Sequence, residues 1–481
     1  MCNNMKLENI FHKYENNDFL IKEDGSVTSY IEFWIKAKEI ALKLLSVGCR
    51  EGDFLLLRIE NSEDYLTLYI ACMQTGIIAC PIDPDLPKDR YEAILNEIKP
   101  RYIIDNIQKI NDIEINDTFK KPPVNNENNR NCMMLFSSGT TGNPKGIVHS
   151  VMSLITSAES FAQLSGINTK SIVYHHFPMF YMAGIFNMFL CPMVSGGKVV
   201  LGKRFSAEQM LSFWDTPMKY GVNNLTLTPT MAISLVRIYR HDEKIMTYIQ
   251  NIGSIVSTGS YLHGTAFTEF QSKFSIPLQS CYGITEAGGT ITYKNKRESV
   301  IKNQNSVGYF DKNIKFICNG TKHQPNEIRV KTPFMMSGYF INGKIKSGLK
   351  DGYFYTGDIG YIENARLFVT GRKGDRIKKG GEFVSLSYIE DIIMKFELID
   401  ELSVIPIEDS FWGHKILVFY VPHNHVVDSD LNEKIDNYAI KHLTSIEMPD
   451  EYICVDKFPR TSIGKVLKKD LINIYNKNMS N

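Results

Sequence analysis

The chain has 481 residues, of which 43% are hydrophobic and 22% are charged, and its formal net charge is +1. This composition is typical of a globular protein and excludes a largely disordered or collagen-like chain. Because a nucleic-acid-binding surface requires excess positive charge, no nucleic acid partner is expected. Nine scattered cysteines form no CxxC pair, and neither a signal peptide nor an apolar run of membrane-spanning length occurs. We therefore expect a cytoplasmic protein without a membrane span.

Helix-like and strand-like segments alternate along the first 360 residues. Apolar residues at helical spacing predict helices at 30–47, 63–75 and 87–97. Short apolar runs predict buried strands at 54–57, 77–80, 101–104 and 132–136. This alternation is typical of parallel sheets covered by helices, so we predict an α/β fold.

Beyond Gly371 the pattern changes, because a basic turn precedes a compact set of elements. We expect helices near 387–396 and 431–442 and a last helix that begins at Gly464. Strands are expected at 402–405, 416–421 and 452–455. A segment of this size is sufficient for a separate small α+β domain.

The segment SSGTTGNPKG, residues 137–146, has the composition of a phosphate-binding loop. Glycines let the backbone approach a ligand and point several N–H groups into one concavity, while hydroxyls and a lysine add donors and positive charge. It is not a Walker A loop, because no Gly-Lys pair is followed by Ser or Thr. An exposed turn is the alternative. The candidate ligands are Ser137, Ser138, Gly139, Thr140, Thr141, Gly142 and Lys145.

Two further motifs carry carboxylates. In YGITEAGG, residues 282–289, Glu286 is a candidate ligand of Mg²⁺, which binds through one or two carboxylates plus substrate phosphates. In the same motif, Tyr282 is a candidate cover for a planar base. In YTGDIG, residues 355–360, Asp358 is a candidate acceptor for ribose hydroxyls. A buried tyrosine, a surface glutamate and a turn aspartate are the alternatives.

Basic residues complete the set of motifs. Arg372, in GRKGDRIKKGGEFVS (371–385), is a candidate for contact with the same sugar or a phosphate. Lys465 lies in PRTSIGKVLKKDL (459–471). Taken singly, the basic run at 371–385 is equally typical of a solvated face, and Lys465 is typical of a surface lysine.

In this order and spacing, the five motifs resemble those of the adenylate-forming superfamily of AMP-dependent synthetases and ligases. Its members include acyl-CoA synthetases, stand-alone adenylation domains of peptide synthetases and luciferases. The resemblance extends over residues 28–471. It implies a large N-terminal domain of sheets covered by helices (1–371), a hinge (372–376) and a small, mobile α+β C-terminal domain (377–481) with the catalytic lysine.

The resemblance also implies a reaction, in which a carboxylic acid and ATP give acyl-AMP and pyrophosphate and a thiol then attacks the adenylate. The loop at 137–146 holds the β- and γ-phosphates, with Thr141 and Lys145 as the closest contacts. The implied catalytic residues are Lys465, Glu286, Thr141 and Lys145. The other implied cofactor contacts are Tyr282 against adenine, its neighbour Gly283, Thr285 on the α-phosphate, Glu286 on Mg²⁺, and Asp358 and Arg372 on ribose.

The acid pocket is predicted to be apolar. No acidic residue occurs between Phe177 and Cys191, and a buried α-ammonium without a carboxylate is costly, so an α-amino acid is not the expected substrate. Tyr181 stands where the family often has histidine. The candidate pocket residues are Tyr181, Gly184, Ile185, Gly259, Gly283 and Gly288. An aryl acid or a fatty acid fits such a pocket.

The thiol acceptor has two candidates. The turn KKGGE, with Gly380 and Gly381, resembles the glycine turn that lines the pantetheine tunnel of CoA ligases. Coenzyme A is therefore the expected acceptor. The phosphopantetheine arm of a free-standing carrier protein is the alternative, since no carrier domain is expected after the last motif. A non-catalytic nucleotide-binding relative is disfavoured because Lys145, Glu286 and Lys465 are all present.

Overall fold

The protein has a large N-terminal part built on three main sheets and a small C-terminal part with its own strands. The computed structural model describes residues 7–116, 129–137, 145–206, 208–240, 242–259, 264–295, 306–379, 382–409, 412–425, 429–461 and 464–479. Within these ranges, no helix has the length and apolar character that a bilayer crossing requires.

Two seven-stranded sheets form the centre of the N-terminal part. The first contains β1 (Asp18–Ile21), β2 (Val27–Ser29), β8 (Ile172–His175), β9 (Lys198–Leu201), β10 (Asn224–Leu227), β11 (Ser254–Ser257) and β12 (Gln279–Ser280). The second contains β3 (Phe54–Leu57), β4 (Ile78–Pro81), β5 (Tyr102–Ile104), β6 (Asn131–Ser137), β7 (Lys145–Ser150), β19 (Gly338–Ile341) and β20 (Lys344–Lys346). Parallel pairs dominate the interior of the first sheet, and β3 pairs in parallel with β4 and β5 in the second, as predicted.

A third, six-stranded sheet departs from the predicted alternation. It contains β15 (Thr292–Tyr293), β16 (Ser306–Phe310), β17 (Lys315–Ile317), β18 (Asn326–Lys331), β21 (Phe354–Glu363) and β22 (Arg366–Arg372). All its pairs are antiparallel, so the helix–strand alternation expected up to residue 360 is wrong here. The hairpin turn at Asn364 and Ala365, both at positive φ, shows how two of these strands connect directly.

A short hairpin of β13 (Gly283–Ile284) and β14 (Gly289–Thr290) lies between the first and third sheets along the chain. Helices cover the sheets: α1 (Leu7–Lys13), α2 (Tyr30–Ser46), α3 (Glu63–Thr75), α4 (Lys88–Ile98), α5 (Gln108–Asn111), α6 (Val151–Ser165), α7 (Met182–Ile185), α8 (Cys191–Ser195), α9 (Asp215–Lys219), α10 (Pro229–Ile238), α11 (Glu243–Asn251) and α12 (Gly264–Phe274). α2 begins at a capping box, in which the Ser29 hydroxyl accepts from the Glu32 N–H and the Glu32 carboxylate accepts from the Ser29 N–H. The first three predicted helices correspond to α2, α3 and α4.

The C-terminal part has its own sheet and core. Its elements are the hairpin of β23 (Arg376–Lys379) and β24 (Glu382–Ser385), the sheet of β25 (Ile399–Asp409), β26 (Gly413–Pro422) and β27 (Glu451–Cys454), and the helices α13 (Leu386–Ile393), α14 (Leu431–Ile440) and α15 (Lys468–Met479). One buried apolar cluster draws only on residues 377–443. The last helix begins at Lys468 and not at the predicted Gly464, because Gly464 has a φ of +82° and belongs to a turn that the Thr461 N–H closes by donating to the Lys465 carbonyl.

Three histidines lie in the interior of the N-terminal part. They are His149 on β7, His175 at the end of β8 and the adjacent His176, and each is at most 1% exposed. Burial penalises the charged imidazolium, and it lowers the pKa of His149 and His175 to about 4 and that of His176 to about 3. All three side chains are therefore neutral in the folded protein near neutral pH.

We expect the free energy of unfolding to fall as the pH drops below about 6.5, the ordinary histidine pKa. The three imidazoles are neutral when folded and take up protons when exposed, so each lowers stability by up to about 1.4 kcal/mol per pH unit until its folded pKa is reached. The urea midpoint should therefore fall steeply between pH 6.5 and pH 5. His149→Gln should reduce this slope, whereas His323→Gln, at an exposed position, should not. Equal slopes for both variants and the unaltered protein would contradict the prediction.

Candidate functional site

The predicted phosphate loop connects two paired strands. β6 ends at Ser137, β7 begins at Lys145, and these two residues are register partners. Lys145 is exposed at the start of β7. The described residues do not include the predicted ligands Ser138, Gly139, Thr140, Thr141 and Gly142, whose roles stay predictions.

Lys145 and Glu286 approach the same tyrosine. Because β19 pairs with β7, the Lys145 ammonium lies 5.7 Å from the centre of the Tyr339 ring, within the range of a cation–π contact. The Tyr339 hydroxyl donates to Glu286 Oε1 at 2.8 Å. Glu286 is held in a single 3₁₀ turn, Thr285–Ala287, which Gly288 ends in the left-handed conformation that glycine adopts most easily. Tyr339 thus contacts both charged groups: Lys145 lies over its ring, and Glu286 accepts from its hydroxyl.

Tyr339 is a site residue that the sequence motifs did not reveal. It lies outside the five motifs, and it reaches Lys145 only through the pairing of β19 with β7. Burial first, and the neighbouring Glu286 carboxylate second, raise the pKa of Tyr339. The hydroxyl therefore keeps its proton and acts as a donor to Glu286.

A second group, here named the carboxylate network, consists of Tyr282, Asp358 and Arg372. Asp358 is only 4% exposed. The Tyr282 hydroxyl donates to Asp358 Oδ2 at 2.5 Å, and Arg372 Nε donates to Asp358 Oδ1 at 2.8 Å. Asp358 and Arg372 are direct partners in the pairing of β21 with β22, which explains how one sheet brings them together. Burial, followed by the charge of Asp358, raises the pKa of Tyr282, so its hydroxyl stays a donor.

The turn that carries Lys465, in the C-terminal part, contacts the N-terminal part, where the Thr230 hydroxyl donates to the Gly464 carbonyl at 3.5 Å. This turn is closed by a bridge between Arg460 and Val466. Desolvation first, and the positive charge of Arg372 second, lower the pKa of Lys465, while Asp358 opposes this shift. The predicted ribose ligands Asp358 and Arg372 are therefore brought together, and their charges act on the ammonium of Lys465, although more than 90 residues separate Lys465 from Arg372 in the sequence.

Two of the predicted acid-pocket residues, Tyr181 and Gly259, lie beside one another. The Tyr181 hydroxyl is 3.5 Å from the place that a Cβ on Gly259 would occupy. Gly283, in the β13–β14 hairpin, and Gly288, which ends the turn that carries Glu286, are tightly packed, because a Cβ would come within 2.4 Å of the Gly289 carbonyl oxygen and within 2.7 Å of the Phe334 carbonyl oxygen, respectively. Gly380 and Gly381, predicted to line the thiol path, are outside the described residues.

The other two predicted pocket residues belong to tight packing. Gly184 lies against the Pro178 carbonyl, which a Cβ would approach to 2.3 Å. Ile185 is fully buried in the largest apolar cluster. The next residue, Phe186, is buried in the same cluster, and its ring lies against Gly289, where a Cβ would come within 2.8 Å of it. Phe186 therefore occupies the space that this glycine leaves open beside the hairpin.

Comparison with known proteins identifies the family. The AMP-binding enzyme family matches residues 7–340, and the AMP-binding enzyme C-terminal domain matches residues 388–465. The chain belongs to the AMP-binding enzyme family. The predicted adenylate-forming family and the predicted α/β fold with a large N-terminal and a small C-terminal domain are confirmed.

Individual relatives match over nearly their whole length. A 2-succinylbenzoate–CoA ligase of Bacillus licheniformis is 27% identical, with 94% of this chain and 96% of the relative covered. ATP-bound MatB from Rhodopseudomonas palustris has a TM-score of 0.84 at 21% identity, with 97% of this chain and 98% of that chain covered. The o-succinylbenzoate CoA synthetase from Bacillus subtilis, in complex with OSB-AMP, has a TM-score of 0.81 at 22% identity, with 96% and 97% covered. The prediction of an AMP-forming acid–thiol ligase is confirmed.

Tyr339→Phe should weaken the binding of ATP with Mg²⁺ by up to about tenfold, because it removes one hydrogen bond that orients Glu286 and keeps the ring beside Lys145. Tyr339→Leu removes both contacts and should weaken binding further. Titration calorimetry measures the two affinities, with Tyr388→Phe on the exposed face of α13 as the control. If Tyr339→Phe bound as tightly as the unaltered enzyme, Tyr339 would have no part in orienting Glu286.

Proposed function

We propose that this AMP-binding enzyme activates an aryl carboxylic acid without an α-amino group to acyl-AMP, releases pyrophosphate, and transfers the acyl group to the thiol of coenzyme A. The observation that carries the proposal is the carboxylate network, in which Tyr282 and Arg372 hold the buried Asp358, together with the contact of the Lys465 turn with the N-terminal part, where Thr230 donates to the Gly464 carbonyl. Relatives that match over almost their full length and are named CoA ligases support the choice of acceptor.

On the nucleotide side, the carboxylate network fits a nucleoside. Tyr282 is proposed to lie against adenine, with Gly283 beside it and Thr285 on the α-phosphate. Asp358 receives two donors, and an ionised carboxylate offers about four lone-pair sites, so it retains capacity for ribose hydroxyls. Arg372 pairs with Asp358 through Nε and offers further donors toward the sugar.

Glu286 fits a Mg²⁺ ion that the phosphates of ATP hold on its other sides. Mg²⁺ usually takes one or two protein carboxylates and completes its shell with phosphate oxygens and water. One oriented carboxylate is what this site offers, and in the described part of the chain no group of three or more His, Cys, Asp or Glu forms a separate metal site. The ion would neutralise phosphate charge, and Lys145 and the loop at 138–142 are proposed to add positive charge and donors to the β- and γ-phosphates.

Lys465 is the residue proposed to act on the reacting atoms. The carboxylate of the acid attacks the α-phosphorus, and pyrophosphate leaves, so negative charge gathers on the α-phosphate oxygens. An ammonium that is already fixed beside those oxygens stabilises the charge without reorganisation. Burial and the charge of Arg372 lower the pKa of Lys465, and Asp358 and Asp375 oppose this lowering.

For thioester formation, we propose that the domain at 377–481 rotates about the segment 372–376. That segment contains a single 3₁₀ turn, Lys373–Asp375, which joins β22 of one sheet to β23 of another. Rotation would withdraw Lys465 and bring Gly380 and Gly381 to the adenylate. Residues without side chains leave room there for the narrow phosphopantetheine arm.

The acid pocket supports an aryl substrate. Tyr181 and Gly259 offer an aromatic ring beside a position without a side chain, which suits a flat ring. Burial raises the pKa of Tyr181, so its side chain is neutral. The aromatic acid in the names of the curated relatives supports the same substrate class.

We also place the enzyme in the cytoplasm, where ATP and coenzyme A are available. The eight cysteines in the described part of the chain are all free thiols, and six of them are buried. Such thiols behave as small apolar side chains and persist in a reducing compartment.

A pyrophosphate-release screen tests the proposed function. The panel contains aryl acids, including 2-succinylbenzoate, fatty acids and α-amino acids, each with and without coenzyme A. We expect release with aryl acids and thioester only when coenzyme A is present. Product with amino acids alone would refute the substrate class, and acylation of an added holo-carrier protein in preference to coenzyme A would refute the acceptor.

Phe186→Leu should shift the preference toward bulkier aryl acids. A smaller side chain opens space beside Gly289, and one or two carbon atoms in an apolar pocket change selectivity by about 10-fold or more. The matched control is Phe189→Leu, because Phe189 packs against Phe19 and Phe33 in the core. Both variants lose some stability, but the ratio of kcat/KM for bulky and small acids should change in the first alone. An equal ratio in both would place Phe186 outside the pocket.

A further inference from the structure

Helix α10 of the N-terminal part contacts the C-terminal part at both of its ends. Thr230 and Arg237 are seven residues apart, which is nearly two helical turns, so their side chains project from the same face. Both make hydrogen bonds to residues beyond the segment 372–376. The helix is therefore a platform on which the C-terminal part rests.

At the N-terminal end of α10, the contact lies directly beside the proposed catalytic lysine. The Thr230 hydroxyl donates to the Gly464 carbonyl at 3.5 Å, and a Cβ on Gly464 would lie 3.5 Å from the Thr230 side chain. Gly464 immediately precedes Lys465. The position of this turn against α10 thus determines where the Lys465 side chain begins.

At the C-terminal end of α10, Arg237 contacts the start of β25. Arg237 Nη2 donates to the Asp400 carbonyl at 2.8 Å and lies 3.6 Å from Asp400 Oδ1. Asp400 is held in turn by His423 Nδ1 at 2.9 Å and by the Asn424 N–H at 3.3 Å. The partner of Arg237 is thereby fixed within the C-terminal part.

Within the C-terminal part, Arg460 connects the two segments that contact α10. Its Nη1 donates to the Gly464 carbonyl at 2.7 Å, and its Nη2 pairs with Glu401, the residue after Asp400. Arg460 therefore links the lysine turn to the start of β25.

We propose that Arg237 is a positioning residue for the adenylation step, which acts through this chain of contacts to keep Lys465 beside the α-phosphate site. The inference rests on the proposed function. Arg237 is 40% exposed and makes one hydrogen bond and one longer ion pair, so the contact is weak enough to release when the C-terminal part turns away. Arg237 thus favours the arrangement for adenylation without preventing the rotation to the arrangement for thioester formation.

The experiment measures the two half-reactions separately under single-turnover conditions. Arg237→Ala should slow acyl-AMP formation about tenfold, the value of one hydrogen bond, and leave thioester formation from supplied acyl-AMP equal or faster. Arg237→Lys keeps the charge and should recover part of the loss. The matched control is Arg240→Ala, an exposed arginine just beyond α10, which should change neither half-reaction.

A double variant distinguishes positioning from a general structural effect. If Arg237 acts through Lys465, then adding Arg237→Ala to Lys465→Ala should cause no further loss of acyl-AMP formation. Additive losses, or equal losses in both half-reactions, would overturn the proposal, as would an unchanged adenylation rate in Arg237→Ala. Should Arg237→Ala fail to fold, Arg237→Lys and Thr230→Ala carry the same comparison. A failure of the proposed function looks different, because the unaltered enzyme would then form no acyl-AMP at all.

Discussion

A buried carboxylate is the constraint on which the rest of the site depends. Asp358 is almost inaccessible to water, and an ionised carboxylate in such a place is costly unless hydrogen bonds and an opposite charge compensate it. The Tyr282 hydroxyl and the Arg372 guanidinium provide that compensation. The β21–β22 hairpin and the segment that carries Tyr282 must therefore stay in place around this carboxylate, and this requirement fixes the shape of the proposed nucleotide site.

The sequence predicted the local elements well and the contacts between them poorly. Helix α3 and strand β3 match their predicted bounds, because their apolar spacing and caps are local properties. The pairing of Asp358 with Arg372 depends on the register of two strands, which no local pattern encodes. Tyr339 was missed for the same reason, since it reaches Lys145 only across the pairing of β19 with β7. The resemblance to a family compensated for this gap at Asp358 and Arg372 but not at Tyr339.

The type of a residue also does not reveal the direction in which its side chain points. Gly184 and Ile185 were predicted to line the acid pocket, yet one allows a close approach to the Pro178 carbonyl and the other is buried in the core. Phe186, one residue further along, faces Gly289 instead. These candidates came from the resemblance and from residue type, and neither shows where a side chain points.

The distribution of apolar and polar contacts is compatible with the proposed rotation of the C-terminal part. In the part of the chain that the structure describes, no apolar cluster contains residues from both sides of the segment 372–376. The contacts that join the two parts, such as those of Thr230 and Arg237, are polar and partly exposed. Exposed polar contacts can be exchanged for water at little cost, whereas a shared apolar core cannot be opened without a large loss of free energy. Each part can thus keep its own core intact while the lysine turn leaves the nucleotide.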